Sequence, residues 1–181
     1  MARLPPITDK SQVPPAGHAA FDAIAASRGS VHGPFEIFMH SHDMAQRVAH
    51  VGALVRFEGS LDMRVRVLAA MTVGRELDVL YIWGAQSSSA RRQGVPESTI
   101  DAIRAKHSRG IPPEDAQIVD FTRVLLHKHR IDNATAAAMR ARLGDDEFIQ
   151  LTGAIGYYAL LAMTMNACEL EAPEGAEVLK V

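Results

Sequence analysis

LDMRVRVLAAMTVGRELDVLYIWGAQSSSARRQG, residues 61–94, decides the fold. Over Leu61–Leu77 the apolar positions Val65, Leu68, Ala69, Thr72 and Val73 recur three and four apart, the period of one helix face. Arg64, Arg66 and Arg75 mark the other faces. Ser60 or Asp62 is the expected cap, because a short oxygen side chain can hold the first free N–H groups. Tyr81–Gln93 reads as a second helix, stopped at Gly94 and followed by a restart at Pro96. Proline suits a helix start, where its missing N–H costs little.

The same period extends outward in both directions. Upstream, Ala16–Ser27 is rich in helix formers, with Phe21, Ile24 and Ala25 on one stripe. Met44, Val48, Val51 and Val55 repeat the pattern behind candidate caps Ser41 and Asp43. Residues 1–15 hold Pro5, Pro6, Pro14 and Pro15, so they read as an extended arm ahead of a single domain over 16–181. Downstream, Asp115–His129 carries the stripe Ile118, Phe121, Thr122, Leu125 and Leu126. Asp132 or Asn133 caps a short helix that ends at Gly144. Asp145–Met165 is a further helix. Its uncharged run Phe148–Cys168 is long enough for a membrane span. Acidic residues on both sides and the lack of a basic flank favour a helix buried all round, in a core or an oligomer interface. The tail from Glu171 reads as irregular or extended. No alternation of period two is long enough for a sheet. The expected fold is all-α, with about seven or eight helices.

The bulk numbers agree. The chain has 181 residues, 48% of them hydrophobic, and a formal charge of −2. Such a balance carries no electrostatic footprint for nucleic acid or for an anionic membrane. The first ten residues, MARLPPITDK, have no signal-peptide core. A single cysteine, Cys168, rules out an internal disulfide and fits a cytoplasmic setting.

Local chemistry is sparse. Eight histidines invite a metal site, but His40 and His42 stand two apart, as do His127 and His129, and no pair has helical ligand spacing beside a carboxylate. No metal and no cofactor are expected, and these histidines read as solvated or capped. Ser87, Ser88 and Ser89 lack a nucleophile elbow, and phosphate-binding glycine patterns are absent. The densest polar-aromatic cluster is residues 75–96. On a helix there, Ile82 and Gln86 share a face flanked by Tyr81 and Trp83. The alternative is that both aromatics are simply core.

Taken together, the pieces GPFEIFMHS (33–41), VRFE (55–58), GRELD (74–78), Tyr81-x-Trp83, ARRxG (90–94) and GYYALLAMTMNACELEAPEG (156–175) resemble the carboxymuconolactone decarboxylase family, which includes the alkylhydroperoxidase-D-like proteins. The resemblance implies an all-α fold with a two-helix core unit that assembles into trimers or hexamers, a dimer being the smaller alternative. It also implies a small-molecule substrate. The departures bear on function. In the decarboxylase branch a Glu would stand at Ile82, a His at Gln86 and a further Glu at Val67. The peroxidase branch needs a C-x-x-C pair, and only Cys168 is present.

Proton delivery to a dienolate needs a group that titrates near the working pH. Gln86 cannot titrate, and Ile82 and Val67 cannot even hydrogen-bond. If the protein is an enzyme, His42 is the first candidate proton carrier, because a helix N-terminus would keep it neutral and basic. Tyr81 and Gln86 are the other candidate catalytic groups. Arg75, Ile82, Trp83, Val67 and Tyr157 are the candidate substrate contacts. Two functions follow as expectations. One is a lyase or isomerase acting on a small carboxylated or lactone-type compound. The other is a non-catalytic, ligand-binding member of the same family.

Overall fold

The computed structural model describes residues 2–171 and 179, and no strand occurs among them. The chain divides into two compact units. Met1–Gly59 and Met163–Glu171 belong to the first, and Ser60–Ala162 to the second. The expected arm therefore counts with the first unit. Most of the tail from Glu171 lies outside the described residues.

In the first unit, α1 (His18–Arg28) lies against α3 (His42–Ala53), with the short α2 (Pro34–Phe38) between them in sequence. The prolines of the arm do forbid a long helix, but the arm is not loose. Ile7 and Val13 are buried. The Ile7 N–H donates to the Glu36 carbonyl at 3.0 Å, and His40 Nε2 pairs with the Pro5 carbonyl at 2.8 Å. Asp9 and Gln12 close a capping box around one 3₁₀ turn. Helix α3 runs on into a π-helical turn, Leu54–Glu58.

In the second unit, α4 (Met63–Glu76) packs against α5 (Leu80–Arg92), α6 (Glu97–Arg104) and α7 (Pro113–Lys128). Asp62 is the cap, accepting from the N–H groups of Arg64 and Val65 at 2.9 and 3.1 Å. Every residue from Val65 to Gly74 is buried, including Arg66. The expected division of α4 into an inward stripe and an outward arginine face is thus corrected: neighbours cover the helix on all sides. Thr72 survives there because its hydroxyl donates back to the Leu68 carbonyl at 2.8 Å. At the N-terminal end of α7, buried Asp115 takes two hydrogen bonds from Arg64, at 3.0 and 2.7 Å. That doubly bonded geometry offsets the cost of burying the carboxylate.

Helix α8 spans Asn133–Cys168, broken at Gly144 by non-helical angles (φ 76°, ψ 171°). Asp132 caps its start through Thr135 N–H at 2.7 Å. The part beyond Gly144, expected in a core or an oligomer interface, keeps an open face within the single chain: Ile149, Gly153, Gly156, Leu160 and Met163 are exposed. It is long and apolar enough to cross a membrane by length and composition, and 44% of its apolar window is buried.

Candidate functional site

The end of α4 carries a polar cluster of the second unit. Its last turn reads Arg75-Glu76-Leu77-Asp78, directly after the fully buried run. Asp78 takes a left-handed angle (φ 53°), which a short polar side chain tolerates, and turns the chain into α5. Gly74 lets the two helices meet closely. A Cβ there would sit 2.7 Å from Ile82 Cγ2 and 3.1 Å from the Trp83 backbone nitrogen.

From that turn, Arg75 and Glu76 join two different sets of partners. Arg75 pairs with Asp78 and donates from Nε to the Arg104 carbonyl at 2.6 Å. Lys106 reaches the other Asp78 oxygen at 3.2 Å. The Arg104 guanidinium stands 5.3 Å from the centre of the Trp83 ring, a cation–π distance. Glu76 accepts from Arg123 Nε at 2.8 Å and pairs with His127 Nε2 at 3.0 Å. Arg123 donates onward to Ser108, which donates to Asp120.

Glu76 is 5% exposed and His127 58% exposed at the side chain. Burial alone would push the Glu76 carboxyl up. The hydrogen bonds from Arg123 and His127, with the charges of Arg123 and Lys106, overcome it and hold the group below its ordinary value. Glu76 is therefore ionised at neutral pH. A carboxylate only accepts, so His127 Nε2 carries the hydrogen and Nδ1 is the basic nitrogen of the neutral ring. An ionised acid fixing one tautomer of an exposed imidazole is the arrangement of a general base and its orienting partner.

The residues singled out from the sequence are distributed unevenly. Val67, Ile82, Trp83 and Tyr157 are all core, from 0 to 5% exposed. Tyr81 and Gln86 are half-buried on α5, and Arg75 is committed to Asp78 and Arg104. The Trp83 indole nitrogen is buried and finds no hydrogen-bond acceptor among the described residues. His42 belongs to the first unit. It is the first residue of α3, as the helix-start reading expects, and lies 3.7 Å from Asp43. Its ring packs over Gly17, where a Cβ would meet it at 2.8 Å. No group of three or more His, Cys, Asp or Glu side chains suited to a metal ion occurs among the described residues.

The pair Glu76 and His127 escaped the sequence reading. The two stand 51 positions apart, so no spacing rule links them. The usable signal is Glu76 itself, an acid placed where a largely apolar helix ends.

No protein-family model matches the sequence, and no curated protein matches it. Solved structures do. An alkylhydroperoxidase AhpD core protein from Ralstonia eutropha JMP134, described as an uncharacterized peroxidase-related protein, superposes with a TM-score of 0.77 at 16% identity, over 96% of this chain and 93% of its own. An uncharacterized peroxidase-related protein from Silicibacter sp. TM1040 gives 0.75 at 12% identity, over 97% and 93%. At such identities the likeness speaks for architecture. The chain has the all-α alkylhydroperoxidase AhpD-like fold.

Proposed function

We propose that the protein is a carboxymuconolactone decarboxylase-like enzyme of lyase or isomerase type, acting on a small carboxylated or lactone-type compound. The supporting observation is the Glu76–His127 pair in the same helical unit as Tyr81, Trp83 and Gln86. Ile82, Gln86 and Val67 offer no titrating group, and His127 supplies one. As a neutral ring it can take a proton from carbon next to a carbonyl. In isomerisation the imidazolium returns that proton to another carbon of the dienolate; in decarboxylation the carboxylate leaves as carbon dioxide, its bonding electron pair stays on the dienolate, and an already protonated His127 donates its proton there. Glu76 stabilises the imidazolium in between. Thiol peroxidase chemistry is disfavoured, because Cys168 has no second thiol with which to form a disulfide. A cytoplasmic homo-oligomer is part of the same proposal, with neither a nucleic-acid partner nor a membrane.

The test is turnover of a panel of lactone and muconate-type carboxylates. The His127 side chain is largely exposed, and His127→Ala, checked for folding by circular dichroism, should lower turnover by about 10²–10⁴-fold. Full activity in His127→Ala together with loss in His42→Ala would move the proton carrier to His42. A second reading, a non-catalytic binder, is favoured by the burial of Val67 and Ile82 in the core. It predicts ligand-induced thermal stabilisation with no product from any member of the panel.

A further inference from the structure

Helices α1 and α3 do not close against each other completely. Ala23 and Ile24 from α1 face Ala49 and Ala53 from α3 across a cleft of about 670 Å³. The small side chains of Ala23, Ala49 and Ala53 leave part of the space between the helices unfilled. The volume falls in the range of small-molecule sites. The floor is hydrocarbon, while the rim is cationic: Arg28 and Arg47 border it, with His50 and Gln46 beside them. No acidic residue lines the cleft among the described residues.

The two arginines differ in a useful way. Arg28 is fixed in place. It donates from Nη2 to the Ala49 carbonyl at 2.9 Å and from Nη1 to Ser27, and its guanidinium lies 4.5 Å from the Phe35 ring centre. It contributes a standing positive charge at the mouth. Arg47 is 74% exposed at the side chain and, among the described residues, is tethered by the Asp43 carbonyl at 2.9 Å and the Asp43 carboxylate at 3.7 Å. Its fork is available to a ligand, and a planar guanidinium matches a carboxylate with two parallel hydrogen bonds.

An apolar floor with a cationic rim selects an amphipathic anion. We propose that the α1–α3 cleft binds a small organic carboxylate, its hydrocarbon body on Ile24, Ala49 and Ala53 and its head group on Arg47 under the field of Arg28. This site lies within the first unit and stands whether or not His127 is catalytic.

The experiment is calorimetric titration of the full chain with three probes of equal length: octanoate, octan-1-ol and octylammonium. Octanoate should bind, the alcohol about tenfold more weakly, and the ammonium not measurably. Arg47→Glu should weaken octanoate about tenfold and leave the alcohol unchanged. Ala23→Trp, introduced from an exposed position, should block both by filling the floor. Equal binding of the three probes, or octanoate affinity indifferent to Arg47→Glu, would overturn the assignment. So would failure of octanoate to bind combined with a fall in sedimenting mass for Ala23→Trp, which would make the cleft a contact between copies of the chain.

Discussion

Glu76 is the orienting partner in the proposed mechanism, and it bears on stability as well. It stands two residues past the wholly buried run Val65–Gly74 and is itself buried, so it pays a desolvation cost that only its partners offset. Glu76→Gln keeps the shape but removes the charge that Arg123 and His127 hold. Hydrogen bonds to a charged group contribute about 1.5–3 kcal/mol each, so a loss of about 2 kcal/mol is expected in urea unfolding at pH 7. The pH dependence has a definite sign. The folded carboxyl titrates below its ordinary value of 4.5, so the folded state resists protonation more than the unfolded chain does. Its contribution is complete above pH 4.5 and disappears as pH falls through the lower folded value. Glu76→Gln should accordingly flatten the acid limb of the stability profile below pH 4.5, measured by chemical unfolding at a series of pH values. An acid limb as steep as that of the parent would remove Glu76 from the account.

At the scale of elements, the α4–α5 pairing turns on Gly74 and Ile82. A methyl at 74 meets Ile82 Cγ2 at 2.7 Å, and the Trp83 backbone cannot retreat from it. Gly74→Ala gains helix propensity of about 1 kcal/mol, yet overpacking here should outweigh it and give a net loss of about 1–2 kcal/mol. Ile82→Ala alone leaves a cavity and should cost about 2–4 kcal/mol. The double variant should lose at least about 0.5 kcal/mol less than the sum, because the new methyl enters the space vacated. Strict additivity would mean that the helices do not meet at this point. Much of this architecture was legible beforehand. The three-to-four spacing of Val65, Leu68 and Thr72 placed α4, Asp62 supplied its cap, and Gly94 and Gly144 marked the breaks. Periodicity names the apolar face of a helix but not what covers the others. For that reason Arg66, read on another face of the helix, is buried, while the uncharged helix after Gly144, expected in a core or an oligomer interface, keeps an open face in the single chain. The Glu76–His127 pair was illegible for another reason: a contact between the ends of α4 and α7 leaves no mark in local sequence.

The open face of α8 carries the argument to the assembled molecule. Within the second unit, Ile149, Gly153, Gly156 and Leu160 are spaced by four, three and four, the rhythm of a helix–helix seam. Ile149 is 66% and Leu160 41% exposed, and no atom stands within 4 Å of a Cβ built on either glycine. Large apolar side chains flank two small residues, a profile that admits another helix closely, and there is no charge along the seam to oppose it. Such a stripe is rarely left bare in water. A second copy of the chain is the occupant proposed for it, in a trimer or hexamer or in the smaller dimer. Sedimentation velocity at micromolar concentration should show the assembled species for the parent. Ile149→Glu combined with Leu160→Glu places buried carboxylates in the seam and should move the mass toward the monomer while the helical circular dichroism stays the same. Both positions are solvent-facing in the single chain, so the double variant tests association without disturbing the core. A parent that sediments as a monomer would refute the assembly, and a double variant that still assembles would place the interface on another face of the chain.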